Sequence, residues 1–417
     1  VRTGQTTVGS ATAIVVTGVT GTSVVTRDVA VVPIDDYEFR FKVIAGGTIG
    51  TTGITFQWSL DDGRTWSAVT ALGTANTWTA PADANPAGSA APGIKINFAA
   101  GTLLAGDFVT FRTSAPQWNS TEIGDAIDAL AKSVLTWELV QIVGALDGAL
   151  FDQVESKVTA MVPAGKYHGW IGHTRMPTIG ETESAYKTAL DGIFASKATK
   201  HGQVCAGACK LVSSVSGRKY KRPISFAVAA RQASQSEEIN AADVNLGPLT
   251  GVSIRDSNGN PDEHDESANP GLDDSRFCTL RTWEGIQGVY VNRPILLSPT
   301  GSDFALLAHR RVLNLAHAAL RAYFQRRLNK SVRVDPATGF IREADAVEIE
   351  HGARAALTSV LLAKPKASGI SFTLSRTDNL LSTKTLSGQG RVIPLGYPEQ
   401  ISLDVGFTNP ALQVQTT

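Results

Sequence analysis

Few of the residues that do chemistry in proteins stand close together in this chain. His201, Cys205 and Cys209 are the nearest to a metal set. A structural zinc takes four ligands, and no second Cys or His pair follows at ligand spacing. Cysteine is among the most buried residue types, so free thiols on a strand are the preferred reading. With Cys278 the total is three cysteines, too few for a disulfide framework. His168 and His173 fall on a predicted strand at odd spacing, which sends them to opposite faces and argues against a shared metal. His309 and His317 read as surface or interface histidines of a helix. Asp256, Asn258, Asn260 and Asp262 space oxygen donors as a calcium loop would, but Pro261 and the missing terminal Glu break the EF-hand pattern. That stretch reads as a solvated loop ending in an acidic tip, Asp262 to Glu266, and Arg218 to Arg222 as a solvated basic loop.

Catalytic signatures do not complete. Gly165-Lys166-Tyr167 lacks the upstream Gly and the Ser or Thr of a phosphate loop. Gly47, Gly50 and Gly53 lie between strands with no helix to follow, so they make no dinucleotide fingerprint. Neither His-Glu-x-x-His nor Gly-x-Ser-x-Gly occurs. No catalytic residue, metal or cofactor is expected, and the chain is read as a non-enzyme.

One motif is sharp. Ser59-Leu-Asp61-Asp-Gly63-Arg-Thr65-Trp66 matches the Asp-box hairpin, Ser-x-Asp-x-Gly-x-Thr-Trp. Ser59, Asp61, Gly63, Thr65 and Trp66 are its structural residues: the Asp and Gly make the turn, and the Trp packs beneath it. The hairpin recurs in carbohydrate-related β-domains. A carbohydrate-binding or glycan-processing protein is therefore the alternative reading, and it requires clustered carboxylates. Glu38, Asp61, Asp62, Asp83 and Asp107 are the acids near the strands, and all but Glu38 fall in predicted turns.

The elements that carry these residues change character along the chain. Residues 1 to about 116 are rich in Thr, Val, Gly and Ala. Strands are predicted at Ala13–Val19, Tyr37–Ile44, Ile54–Leu60, Trp66–Thr70, Ile94–Phe98 and Phe108–Thr113, with turns at Gly46-Gly47, Asp61-Asp62-Gly63 and Ala105-Gly106-Asp107. Strict alternation in Tyr37 to Val43 predicts a half-buried strand of a small sandwich. After Pro116, helices and strands alternate. Helices are predicted from Ser120 or Thr121, over Asp147–Met161 and over Glu181–Ala195. Strands fall at Trp137–Val143, Tyr167–His173 and Gln203–Ala208, which implies a partly parallel sheet covered by helices. A strand pair around Gly285 follows. Ser302 then caps a long helix, Asp303–Leu328, with Leu306, Leu313, Leu320, Phe324 and Leu328 on one face. A second long helix spans Glu343–Ala363, and strands close the chain.

The composition bounds the function. Of 417 residues, 42% are apolar, so large cores can form. Lys+Arg and Asp+Glu are 38 each, without the basic surplus of a nucleic-acid binder. A neutral chain is prone to self-association, which suits a subunit built to polymerise. No apolar run reaches membrane-spanning length.

Several blocks together resemble the tail sheath proteins of contractile phages, tailocins and related injection systems. Tyr37 to Thr48, Phe56 to Trp66 and Ile94 to Phe108 are similar to the β-domain inserted in many phage sheath proteins. Arg276 to Tyr290 is similar to the strand pair before that family's long helix, which Ser302-Asp-Phe and Arg310-Arg-Val lead here. Val392 to Pro398 and Ile401 to Pro410 look like its C-terminal strand and tail. The resemblance rests on the order of the blocks, not on a single motif. The family usually opens with an arm and an α/β segment before the insertion. Here the insertion comes almost first, and the chain starts at Val1, so a preceding segment is expected.

The resemblance implies a multi-domain α+β or α/β protein. An α/β sheath core packs helices on a mixed sheet, and an all-β, sandwich-like domain is inserted near the N-terminus. The expected divisions are 1–35 as a linker or strand leading in from a preceding segment, 36–116 as the β-domain on the outer surface, 117–300 as the core, 301–398 as a C-terminal domain with long helices, and 399–417 as a strand or arm linking neighbouring subunits. It implies a subunit that polymerises as helical rings around a tail tube and contracts to drive the tube through an envelope, as in genome ejection. The expected partners are the chain itself, a tail tube protein, and baseplate and tail terminator proteins, with no direct nucleic acid and no membrane insertion. The place implied is the virion tail, assembled in the bacterial cytoplasm. Val405, Gly406, Phe407, Asn409, Pro410, Leu412 and Val414 are the expected inter-subunit arm. Arg310, Arg311, Arg321, Arg326, Arg327 and Lys364 are candidates to face the tube, with ordinary solvated helix charges as the alternative for each.

Overall fold

The computed structural model describes residues 8–18, 20–82, 90–134, 136–178, 180–214, 217–256, 259, 262–399, 401–403 and 406. Its N-terminal part is built from strands. They are β1 (Ser10–Ala11), β2 (Val15–Thr17), β3 (Val25–Arg27), β4 (Glu38–Ala45), β5 (Gly47–Thr48), β6 (Thr55–Ser59), β7 (Thr70–Ala71), β8 (Thr77–Thr79), β9 (Lys95–Phe98), β10 (Thr102–Leu103) and β11 (Phe108–Ser114). One sheet runs β1-β11-β4-β6-β7, with β2 also on β11, and a second runs β3-β9-β8. The alternation read in the sequence sets the faces. Phe39, Phe41 and Val43 of β4 and Val109 and Phe111 of β11 are buried. They meet Ile96 and Phe98 of the second sheet in one apolar cluster. Phe41 and Phe56 stack at 4.3 Å across paired strands.

Strand β2 falls within the strand expected at Ala13–Val19, and β1, β2 and β3 pair with β11 and β9. One expectation changes here. The strand expected at Trp66–Thr70 is reduced to β7, because Ser67 N donates to Trp58 O at 2.9 Å and residues 61–65 are spent on a turn.

From Asn119 the chain alternates. The elements are α1 (Ser120–Lys132), β12 (Leu139–Ala145), α2 (Gly148–Met161), β13 (Gly169–His173), α3 (Glu183–Phe194) and β14 (Gly202–Cys205). The three strands are parallel in the order β12-β13-β14, as helix crossovers require. Asn119 is the first cap, one residue before Ser120, and shares a capping box with Glu122. Asp147 and Thr182 cap α2 and α3 by accepting from Leu150 N and Ala185 N. Phe151, Val154 and Val158 of α2 and Tyr186, Leu190 and Phe194 of α3 bury against Trp170 of β13.

The antiparallel strands β15 (Ala208–Val212) and β16 (Lys219–Pro223) come next, then α4 (Ser225–Ala233), β17 (Val252–Ser253) and the hairpin β18 (Leu280–Trp283) and β19 (Ile286–Val291). The run Arg218 to Arg222 is therefore largely strand, not a solvated loop. Last are α5 (Leu307–Gln325), α6 (Glu343–Leu357) continued by one π turn to Leu362, β20 (Gly369–Leu374), α7 (Leu380–Thr383) and β21 (Gly388–Ile393). Helix α5 starts later than expected. A bridge between Ile295 and Leu306 keeps the preceding residues extended, and Ser302 Oγ accepts Phe304 N in a local turn instead of capping. The expected stripe also shifts. Leu307, Ala308, Val312 and Ala316 are buried, whereas Leu328 is 73% exposed. Helix α5 packs on two cores at once, Leu307 in one and Val312 with Ala316 in the other.

Candidate assembly surfaces

The Asp-box forms as read. Asp61 accepts from Thr65 N and Thr65 Oγ1, both at 2.8 Å, and from Ser59 Oγ at 2.7 Å. Ser59 Oγ in turn accepts from Gly63 N at 2.9 Å. Asp62 sits in the left-handed region at φ 61°, and a Cβ on Gly63 would lie 2.9 Å from the Trp66 ring, so Trp66 packs on the turn itself.

Four of the five acids near the strands are engaged. Glu38 accepts from Arg64 at 3.1 Å and Arg112 at 2.9 Å. Burial alone would raise its pKa, but Arg112, Lys221 and Arg64 together hold it below the usual value. Asp62 pairs with Arg40 at 2.5 Å, and Asp107 accepts Gly21 N and Leu104 N. Asp83 lies outside the described residues. Among the described residues of this domain, these acids serve turns and ion pairs and leave no free pair to act on a glycan.

The acidic tip differs from its expectation. Glu263, His264, Asp265 and Glu266 are buried. Lys221 pairs with Glu263 at 2.9 Å. His264 lies between Glu183 and Glu266, each at 2.9 Å. Burial opposes its charge, but the two carboxylates raise its pKa to about 9, so it is an imidazolium at neutral pH. Asp265 takes hydrogen bonds from Thr282 N and Oγ1 and from Ser267, which outweigh burial and bring its pKa to about 2. Alternating charge signs, not evident in the local sequence, make this burial tolerable.

The cysteines are free and buried, as read. Burial pushes the Cys209 thiol up to about 12. Among the described residues no cluster fit to hold a metal ion occurs. His201 instead bonds Glu155 at 2.9 Å. The histidines of α5 are not free surface groups. His317 stacks on Tyr167 at 3.8 Å, and His309 bonds Leu395 O at 3.0 Å and stacks on Tyr397.

The candidate tube-facing cations divide. Arg310 and Arg311 are buried. Arg311 grips Glu138 at 2.7 and 3.1 Å and donates to the carbonyls of Gln232, Gln235 and Ser236. Arg310 lies over the Phe304 ring at 5.7 Å, and burial lowers its pKa. Arg321 donates to Gly165 O, and Arg327 pairs with Glu348 at 2.9 Å. Arg326 and Lys364 are exposed. Of the expected arm, Gly406 is exposed, while Val405, Phe407, Asn409, Pro410, Leu412 and Val414 lie outside the described residues.

An open sheet edge was not foreseen as a site. Strands β20 and β21 form a two-stranded sheet resting on α6, and Gly388 to Arg391 and Ile393 of β21 are exposed. Ser375 N donates to Ser387 O at 2.8 Å. In antiparallel pairing, hydrogen-bonded residues alternate, so Gln389 and Arg391 bond inward to β20. The N–H and C=O groups of Gly388, Gly390 and Val392 therefore face outward. The signal available in the sequence was Gly388-Gln-Gly390, a strand with little side chain to cover its edge.

The succession of these elements defines the class: a mixed α/β protein with several sheets and, among the described residues, seven α-helices, its N-terminal part made of antiparallel strands. The chain belongs to the DUF2586 family, whose N-terminal-domain model matches residues 5–293. No curated protein matches it. Among solved structures it is similar to a chain of the anti-feeding prophage baseplate at 12% identity, covering 71% of this chain and 76% of that chain with a TM-score of 0.47. It is also similar to the sheath complex of an extracellular contractile injection system, PVC, in the contracted state, at 13% identity, 69% and 75% coverage and a TM-score of 0.46. A third is a sheath tail protein from Listeria innocua, at 12% identity, 94% and 82% coverage and a TM-score of 0.42.

Proposed function

We propose that this chain is the structural subunit of a contractile tail sheath. Subunits polymerise as helical rings around a tail tube, and contraction of the polymer drives the tube through an envelope. The observation that carries this reading is the outer edge of β21, which no strand pairs among the described residues. Gly388, Gly390 and Val392 turn main-chain groups outward in a row there, and a strand from a neighbouring copy satisfies them by β-augmentation. Monomeric proteins block such edges with charge, Pro or a covering element, and β21 offers only Arg391. Residues 399–417 are the proposed arm that supplies the strand. Head-to-tail contacts whose rotation does not close build a helical polymer. Arg326 and Lys364 remain the proposed tube-facing cations.

The test is negative-stain electron microscopy of the full chain, of a form ending at Pro398, and of Val392→Pro. Proline at 392 removes an outward N–H and no inward hydrogen bond. Tubes or stacked rings are expected from the full chain and from neither variant. Small monodisperse particles from the full chain at high concentration refute the reading.

A further inference from the structure

The Asp-box has a use that its turn geometry alone does not explain. The apolar cluster of the β-domain takes in only Tyr220 from the rest of the chain, among the described residues. Among the described residues, charged side chains make hydrogen bonds and ion pairs across that boundary. Arg222 of β16 donates to Asp36 O at 2.7 Å and Asp35 Oδ2 at 2.6 Å. Arg112 of β11 reaches Pro177 O at 3.4 Å. Arg64, at the tip of the Asp-box, has its second nitrogen 3.9 Å from Asp262, which Lys210 of β15 also contacts. Glu38 ties Arg64 to Arg112 from within the β-domain, and Lys221 adds its field from the core side. The Asp-box fixes Arg64 for this task, because Arg64 Nη1 also donates to Asp61 O at 2.7 Å. Among the described residues the covalent path between the two units is the single crossing near Pro116.

We propose that the Asp-box hairpin is one jaw of an electrostatic clasp that sets the angle of the β-domain on the α/β core. The other jaw is Asp262, held by Lys210, and Arg222 closes on Asp35 and Asp36 as the second hold of the clasp. The clasp opens as ionic strength rises, with both units still folded. Apolar contacts hold or tighten in salt, whereas ion pairs at a boundary reached by solvent weaken as the Debye length falls to about 3 Å at 1 M. Polar interfaces within a chain permit relative motion by default. This inference does not depend on the sheath reading.

The test measures the distance between spin labels on Val69→Cys and Thr188→Cys in the full chain. Both sites are exposed, and the native cysteines are buried. A single narrow distribution is expected at 50 mM NaCl, broadening at least twofold at 1 M, with an unchanged circular dichroism spectrum. Arg222→Glu should broaden it at 50 mM, and Asp35→Arg combined with Arg222→Glu should narrow it again. A distribution that stays narrow at 1 M overturns the proposal, as does a folded Arg222→Glu protein with the unaltered distance. If Arg222→Glu does not fold, the salt series on the labelled protein alone decides.

Discussion

Removing the charge of His264 gives the sharpest thermodynamic test of this fold. The ring is 4% exposed and bridges Glu183 of α3 to Glu266. Its folded pKa of about 9 stands above the 6.5 of a free imidazole. At about 1.4 kcal/mol per pH unit that gap is worth about 3 kcal/mol. The Glu183 side chain is 41% exposed, so solvent screening reduces the figure to about 2 kcal/mol. A raised folded pKa means that the folded state holds the proton more tightly than the unfolded one. The stabilisation is therefore complete below pH 6.5 and is lost as pH rises through 9. Urea midpoints of the native protein and His264→Gln should be compared at pH 6, 8 and 10. Glutamine keeps a polar side chain but cannot carry the charge. The gap between the two proteins should be about 2 kcal/mol at pH 6 and should shrink by most of that at pH 10. Taking the difference removes every titration that the two share. A gap of the same size at all three pH values refutes the charged bridge.

Three further outcomes are expected. Asp61→Ala removes the acceptor of three hydrogen bonds in the Asp-box and should cost about 3 kcal/mol, read as a lowered urea midpoint with tryptophan fluorescence reporting the change around Trp66. Gly202→Ala should cost about 3 kcal/mol or prevent folding, because the added Cβ would stand 2.0 Å from the buried Trp170 ring; circular dichroism melting checks this. Arg276 lies at φ 67° and donates to the carbonyls of Phe194, Ala195, Lys197 and Ser298. Arg276→Ala and Arg276→Gly both lose those bonds, but glycine should be about 1 kcal/mol the more stable of the two, since it accepts that backbone conformation freely.

Local signals carried much of this fold. The alternation of Tyr37 to Val43 set the face of β4, and the Asp-box specified its turn to the residue. Periodicity placed α2 and α3 within two residues, because caps and apolar spacing are written in adjacent positions. The misreadings share a cause. Asp262 to Glu266 and Arg218 to Arg222 look solvated because each run is charged, yet Lys221 meets Glu263 only after some 40 residues of chain fold back. Arg310 and Arg311 look like helix surface until Glu138, 173 residues from Arg311, comes to meet one of them. A charged residue's burial depends on a partner remote in sequence, which no local pattern reveals. The open edge of β21 was hidden for a similar reason, since a strand's free side is known only once its paired side is.

These long-range ion pairs also bear on how the parts of the chain are joined. Helix α5 touches the α/β core through Leu307 and the C-terminal layer through Val312 and Ala316. At the same level Arg311 locks the helix to Glu138 and the end of α4, and Lys366 contacts Glu237 and Glu238 beside it. A pull on β21 is thereby delivered through α6 and α5 into the parallel sheet by buried, charge-assisted contacts, which are directional and costly to break singly. The β-domain is joined differently, by ion pairs whose members are 16% to 40% exposed, around Tyr220 as the one apolar contact among the described residues. The stiffer joint lies on the side of β21 and the yielding joint on the side of the β-domain. Salt should loosen the second more than the first, because buried ion pairs are screened less than solvent-reached ones.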